Sequence, residues 1–365
     1  PATIIKNVIE REDDLSKHLP YHYEVESVGL FSDISGFTKL SEYFSKKGRV
    51  GPEFLTLSIN RYMEKIINII LKNGGDIYKF AGDAIMAIWP PVQSKNFLKE
   101  ACKRACKCAM DVQRELKSFE IVKDKSLSVK IGIGVGKLNI LFVGGIFKRC
   151  EYLCVGEGMR QACEAETHSS GGGQVIISEK VKKNVENNYE FVEAEVQEGY
   201  KSDGLHYFKI IGNKETDKDK IQTKADASLM KKRFDNQKIH DKIDTLKTFI
   251  PAGVLGYLNI EKESWCREIR LVTAMFLKSD IDLCDLKDEN GFTRIQTIAN
   301  TVQRCAYRTR GGLNKFLMDD KGSVMLIAWG LPPLSSRNDP IDAICSCITI
   351  LREFKKLKIK CCMGV

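Results

Sequence analysis

Two carboxylates fifty positions apart stand in settings suited to metal and phosphate chemistry: Asp33 in LFSDISGFTKL and Asp83 in YKFAGDAIMAIW. Hard dications such as Mg²⁺ bind through one or two carboxylates together with substrate phosphates. A convergent Asp pair can therefore hold two such ions, one polarising an attacking hydroxyl and the other neutralising phosphate charge during in-line displacement. The amides after Asp33 suit the same chemistry. A helix opening at Ser35-Gly36-Phe37-Thr38 would present unpaired N–H groups and the positive end of its dipole to phosphate oxygens.

The flanking elements must bring these groups together. Glu26 to Phe31 alternate towards an apolar run that Asp33 closes, so the pattern predicts a strand ending at Asp33 and followed by a helix. Ile77–Phe80 and Ile85–Trp89 read as two strands joined by Ala81-Gly82-Asp83, a tight hairpin from which Asp83 projects. If strand and hairpin are sheet neighbours, the carboxylates converge. Each residue alone also fits a plainer duty: an Asp before Ile-Ser-Gly can cap a helix, and an Asp in a turn can satisfy turn backbone.

Five segments in order strengthen the chemical reading: LFSDISGFTKLSEYF, RYMEKIINIILKNGG, DIYKFAGDAIMAIW, KIGIGVG and LCVGEGM. Through them the chain resembles the class III nucleotidyl cyclases, and among these the soluble, bicarbonate-regulated adenylyl cyclases. The resemblance implies that Asp33 and Asp83 are catalytic metal ligands for two Mg²⁺ or Mn²⁺ ions, with the Ile34 carbonyl a further ligand. It makes the amides of Ser35, Gly36, Phe37 and Thr38 the phosphate cradle, and ATP the substrate.

An internal repeat accompanies this. NGGDIYKFAGDAIMAIWPP returns as RGGLNKFLMDDKGSVMLIAWGLPP, and YHYEVESVGLFSDIS is echoed by WCREIRLVTAMFLKS. The expected organisation is an N-terminal lead-in (1–25), a first metal-binding cyclase domain (26–212), a linker wrapping the outside (213–265) and a second, base-recognising domain (266–365). The fold class is α+β, two ferredoxin-like βαββαβ domains with helices on one face of each sheet. By resemblance they pair head to tail into a pseudo-heterodimer. The position of Asp33 falls near Leu277 or Lys278 in the second copy, which loses the strand-end carboxylate. Lys315 matches the family's base-recognising lysine, with Met318 beside it in the nucleotide site. An ammonium only donates hydrogen bonds, which suits the acceptors on the adenine edge better than guanine's N1–H and amino group. A strand-end lysine in solvent is the plainer alternative. Asp319 and Asp320 are expected in a turn, since adjacent strand residues point to opposite faces.

Lys79, four residues before Asp83, matches a lysine that the family uses for a regulatory anion; otherwise it pairs with Asp33 or Asp83. The basic partner for that anion falls on Cys163, with Arg160 nearly one helical turn earlier. KCCMGV aligns with KIGIGV, so the second domain is expected to be incomplete, its remaining base-pocket and transition-state residues lying in a longer parent chain with further domains. The fragment alone is then expected to be nearly inactive. A guanylyl cyclase, or a catalytically silent cyclase-like sensor or scaffold, remains as an alternative.

Composition bounds the rest. A chain of 365 residues, 43% hydrophobic, is long enough for two cores. Its longest apolar runs, such as Ile66–Leu71 and Val324–Trp329, are too short to span a membrane. No secretory signal opens it, and a cytoplasmic location, with cytoskeleton or cilium association left open, is expected. The net charge of +9 is spread out. Its most charged stretch, GNKETDKDKIQTKADASLMKKRFDNQKIHDK, mixes signs around one Phe, which argues against nucleic acid as a partner. Cys102, Cys106 and Cys108 follow one amphipathic helix instead of paired CxxC spacing, so the thirteen cysteines read as small buried residues. The glycines of SSGGGQVIIS lack the GK[ST] of a phosphate loop and mark a turn into a strand.

Overall fold

A computed structural model describes the chain apart from residues 12, 16–17, 92–93, 118–119, 123–124, 196–203, 215–239, 256–269, 282–285, 287 and 320–321. Most of the expected linker, and Asp320 with Lys321, lie outside the described residues. The chain forms two compact units. The first comprises Pro1–Thr3, Val25–Leu138 and Glu157–Arg233; the second comprises Ile4–Glu24, Asn139–Gly156 and Phe234–Val365.

The elements run α1 (Ala2–Glu10), β1 (Tyr21–Ser35), α2 (Phe37–Ser45), α3 (Gly51–Lys72), β2 (Asp76–Ala81), β3 (Ala84–Trp89), α4 (Phe97–Leu116), a short ribbon of β4 (Glu120–Val122) and β5 (Lys125–Ser126), β6 (Ser128–Gly144), β7 (Cys150–Gly156), α5 (Glu157–Thr167), β8 (Val175–Ser178), α6 (Glu179–Val185), β9 (Tyr189–Glu193) and β10 (Tyr207–Asn213). There follow α7 (Ile243–Lys247), α8 (Ala252–Leu255), β11 (Thr273–Ser279), α9 (Glu289–Arg308), β12 (Gly312–Asp319), β13 (Gly322–Trp329), α10 (Asp339–Lys356) and β14 (Cys361–Gly364).

In the first unit the sheet order is β2-β3-β1-β6-β8-β10-β9, with β6 and β8 parallel and β1–β3 antiparallel. Period-two alternation aims Val28, Leu30 and Ile34 of β1, Ile85, Ala87 and Trp89 of β3, and Val129, Ile131, Ile133 and Val135 of β6 into one core. Helix α3 covers it with Tyr62, Ile66 and Ile70, and α4 with Ala101, Cys102, Ala105, Cys108, Ala109 and Val112, each set at helical spacing. Burial of the α4 thiols removes the water that would stabilise a thiolate. It pushes Cys102 up to about 12 and Cys106 and Cys108 well above the usual range. Asp76 accepts from the Ala2 and Thr3 amides at 2.9 and 2.7 Å, satisfying N–H groups at the start of α1.

Two expectations need correction. Helices do not occupy one face only: α5 packs on the face opposite α3 and α4. There a Cβ on Gly132 would stand 2.0 Å from the Ala162 carbonyl oxygen, and one on Gly134 would stand 2.3 Å from that of Gly158. The glycines of KIGIGVG thus let a helix backbone lie directly on the sheet. Nor does β1 end at Asp33; it continues to Ser35.

The second unit carries βαββαβ in the order β11, α9, β12, β13, α10, β14, and its sheet runs β12-β13-β11-β14. Met275, Leu277, Met325, Ile327 and Trp329 face a core closed by Phe292, Ile295, Ala299 and Val302 of α9 and by Ile350 and Phe354 of α10. Leu141, Val143, Leu153 and Val155 of the β6–β7 hairpin complete it. Two buried glutamines one heptad apart on α9 grip the tip of that hairpin. Gln296 accepts from the Gly144 amide at 2.7 Å and donates to its carbonyl at 2.9 Å. Gln303 accepts from the Ile146 amide at 3.2 Å and donates to the Arg149 carbonyl at 2.8 Å.

Candidate active site

Asp33 follows the last ladder pair of β1 and β3, Ser32 with Ile85, while Asp83 lies two residues before Ile85. Both carboxylates therefore stand at the same end of two hydrogen-bonded strands. Alternation puts Ile34 in the core at 3% exposure and turns Asp33 to the face opposite α3 and α4. Ala81 pairs with Ala84, so Gly82 and Asp83 form a two-residue turn. Gly82 has φ +68°, the positive value that a type II′ turn requires of its first central residue. Asp33 and Asp83 are half-buried, neither sealed in the core nor fully in water.

The donor set discriminates among metals. Among the described residues no group of three or more His, Cys, Asp or Glu side chains could enclose an ion, which excludes a closed structural zinc site there. Two carboxylates at a sheet end suit a hard ion that completes its shell with water and phosphate oxygens. The fit with Mg²⁺ or Mn²⁺ is good.

After Ser35 closes β1, Gly36 takes φ 98° and caps α2 without any side-chain hydrogen bond. The first intrahelical bond runs from the Leu40 amide to the Gly36 carbonyl. The amides of Phe37 and Thr38 therefore belong to the helix's uncapped first turn, while Ser35 is the last strand residue and Gly36 the cap. Of the four expected cradle residues, two supply helix-end amides and two set the bend.

In the second unit Lys315 follows a β-bulge: Leu313 pairs with Ile327 and Lys315 with Leu326, leaving Asn314 as the extra residue. The first unit repeats this, Ile77 pairing with Ala87 and Lys79 with Met86 around Tyr78. Lys79 and Lys315, both half-buried, hold one structural place, each four residues after a glycine whose amide bonds to the preceding helix, Gly75 to Ile70 and Gly311 to Ala306. That spacing is the signal available in the sequence. Met318, expected in the nucleotide site, lies instead in the core of its unit at 2% exposure, because it shares its strand face with Phe316 and not with Lys315. Asp319 pairs with Gly322.

The two residues considered as partners of Lys79 are on α5. Cys163 is buried, and Arg160 pairs with Glu164 at 2.5 Å.

A model of the adenylate and guanylate cyclase catalytic domain matches residues 21–212, more than half of the chain. Adenylate cyclase type 10 of Oryctolagus cuniculus is 25% identical over 356 residues, covering 92% of this chain and 21% of that protein. The Rattus norvegicus protein of the same name is 34% identical over 148 residues, 40% of this chain and 9% of its own. The chain thus spans about a fifth or less of the length of these relatives. Among solved structures, the adenylyl cyclase CyaB from P. aeruginosa is 23% identical with a TM-score of 0.45, covering 53% of this chain and 97% of that one. The guanylyl cyclase Cya2 is 25% identical with a TM-score of 0.44, covering 54% and 95%. With paired strands holding two aspartates beside an uncapped helix start, and a family model spanning those elements, this chain belongs to the class III adenylate and guanylate cyclase catalytic domain family.

Proposed function

We propose that this chain is the catalytic region of an adenylyl cyclase that converts ATP to cyclic AMP and pyrophosphate. The observation that carries this is the placement of Asp33 and Asp83 at one end of two paired strands, with the first turn of α2 following directly. Divalent ions are general to class III cyclases, and here they would polarise the 3′-hydroxyl and neutralise charge on the phosphates. Asp33 and Asp83 orient them, with the Ile34 carbonyl as a further donor. The amides of Phe37 and Thr38 bind phosphate oxygens, and Lys315 donates to the adenine ring. The O3′–Pα bond forms as the Pα–O bond to pyrophosphate breaks, and the hydroxyl proton passes to water. Preorganised charge of this kind is the main source of acceleration in phosphoryl transfer. Pairing of the two domains in one chain, as the resemblance implies, would let Lys315 serve the nucleotide whose phosphates Asp33 and Asp83 address.

Among the described residues no helix is long and apolar enough to cross a membrane. A cytoplasmic location remains part of the proposal, as do the role of Lys79 in binding a regulatory anion and the further domains of a longer parent.

The test is cyclic nucleotide production by the parent protein, given ATP or GTP with Mg²⁺ or Mn²⁺, beside Asp83→Ala. Cyclic AMP that disappears in the variant is the expected result. Cyclic GMP instead would move the specificity to guanine. No product with nucleotide still bound would make the module a sensor.

A further inference from the structure

One cleft of the second unit has no part in this chemistry. It measures about 630 Å³, within the usual range for small-molecule sites. It lies where the turn between β6 and β7 meets α7 and the C-terminal part of α9. None of its lining residues belongs to the proposed nucleotide site.

Two rings stand in it edge to face, Phe147 and Tyr307, with centroids 5.4 Å apart and planes at 90°. Phe147 is 78% exposed, so folding gains little from burying it. Phe147 and Lys148 nevertheless have φ of +50° and +60°, a left-handed backbone that is unfavourable for non-glycine residues and is found at ligand clamps. Three cations line the cleft, Lys148, Arg149 and Lys247, against the single acid Asp244. Asp244 is itself exposed and pairs with Lys247 at 3.5 Å one helical turn away, a surface contact of small effect. Among the described residues Lys148 has no ion-pair partner.

Arg149 is the telling group. It is 6% exposed. Its terminal nitrogens donate to the Cys150 and Thr248 carbonyls and to Glu151. Its charge is met by the buried Glu151, but its Nε is buried without an acceptor, and a buried N–H left unpaired costs free energy.

We propose that this cleft binds a small aromatic carboxylate, its ring against Phe147 and Tyr307 and its carboxylate among Lys148, Arg149 and Lys247. Rings alone would take a neutral apolar ligand, and cations alone would take phosphate; their combination selects a molecule with both features.

The test is calorimetric titration of the 365-residue chain with 2-naphthoate, with 2-naphthamide as the neutral isostere and inorganic phosphate as the ringless anion. Saturable one-to-one binding of naphthoate, at least tenfold tighter than the other two, is expected. Phe147→Ala and Lys247→Glu, at exposed side chains, should each weaken it at least tenfold, and Leu334→Trp should fill the cleft and abolish it. Asp83→Ala should leave it unchanged. Equal affinity for naphthoate and either control, no binding at millimolar concentration, unchanged binding in the Phe147 and Lys247 variants, or loss in Asp83→Ala would each overturn the assignment.

Discussion

Lys278 stands in the second unit at the place that Asp33 holds in the first. Each follows by one residue a ladder pair on the core-facing side, Ser32 with Ile85 and Leu277 with Met325. Counted along the same ladders, Ser323 takes the position of Asp83, and its hydroxyl hydrogen-bonds to that of Ser279. The second unit therefore has a cation and a hydroxyl where the first has two carboxylates.

This asymmetry predicts where metal-dependent activity resides. Asp33→Asn and Asp83→Asn, which keep side-chain size, should each lower cyclase turnover by roughly 10²–10³, the scale seen when one preorganised electrostatic group is lost. Lys278→Ala should change turnover by less than about threefold, since loss of an exposed charge is a small perturbation. Steady-state rates with Mn²⁺, together with Mn²⁺ titration of each variant, check this.

The shared place of Lys79 and Lys315 separates their roles. Lys315→Glu replaces a donor with an acceptor and should shift the ATP-to-GTP ratio of kcat/KM towards GTP by roughly 10- to 100-fold, corresponding to one hydrogen bond to a charged group. Lys79→Glu should not alter base preference. Competition between the two nucleotides measures both.

The glutamine grip on the hairpin predicts a stability effect remote from catalysis. Gln303→Leu takes the acceptor from the part-buried Ile146 amide and one of two donors from the Arg149 carbonyl, which keeps the Gly145 amide, and should cost about 1–3 kcal/mol. Urea denaturation against the wild type reads the difference.

Close backbone packing of α5 predicts intolerance at one glycine and tolerance at another. Gly132→Ala drives a Cβ into the Ala162 carbonyl and should destabilise by about 3 kcal/mol or more. Gly171→Ala meets nothing within 4 Å and should stay within about 0.5 kcal/mol of wild type.

Buried thiols set an alkaline limit. The folded state holds the Cys102 proton to about 12 against an ordinary value of 9.0, so above pH 9 the unfolded chain releases a proton that the folded chain retains. Stability from this group is full below pH 9 and declines as pH rises towards 12. Denaturation midpoints at pH 8 and pH 10 should fall accordingly, and less in Cys102→Ala. In native protein a thiol reagent should modify the exposed Cys345 and Cys362 before Cys102, Cys106 and Cys108.

Much of this was legible in the chain alone because it is local. Alternating apolar residues around Val28–Ile34 and Ile85–Trp89 define strands, Gly82-Asp83 defines a turn, and the spacing of Cys102, Cys106 and Ala109 defines a buried helix face. Each depends on neighbours within a few residues. The tertiary structure decided what depends on distant partners. Sequence echo left Asp33 opposite Leu277 or Lys278, and only the ladders select Lys278, since a one-residue slip exchanges core for surface. The same alternation removed Met318 from the nucleotide site. Bulges at Tyr78 and Asn314 aligned Lys79 with Lys315, and the second face of the sheet received α5 because Gly132 and Gly134 leave room for a backbone that no local pattern announces. Strand registers and helix docking are fixed by contacts between segments far apart in the chain, and residue spacing along one segment does not encode them.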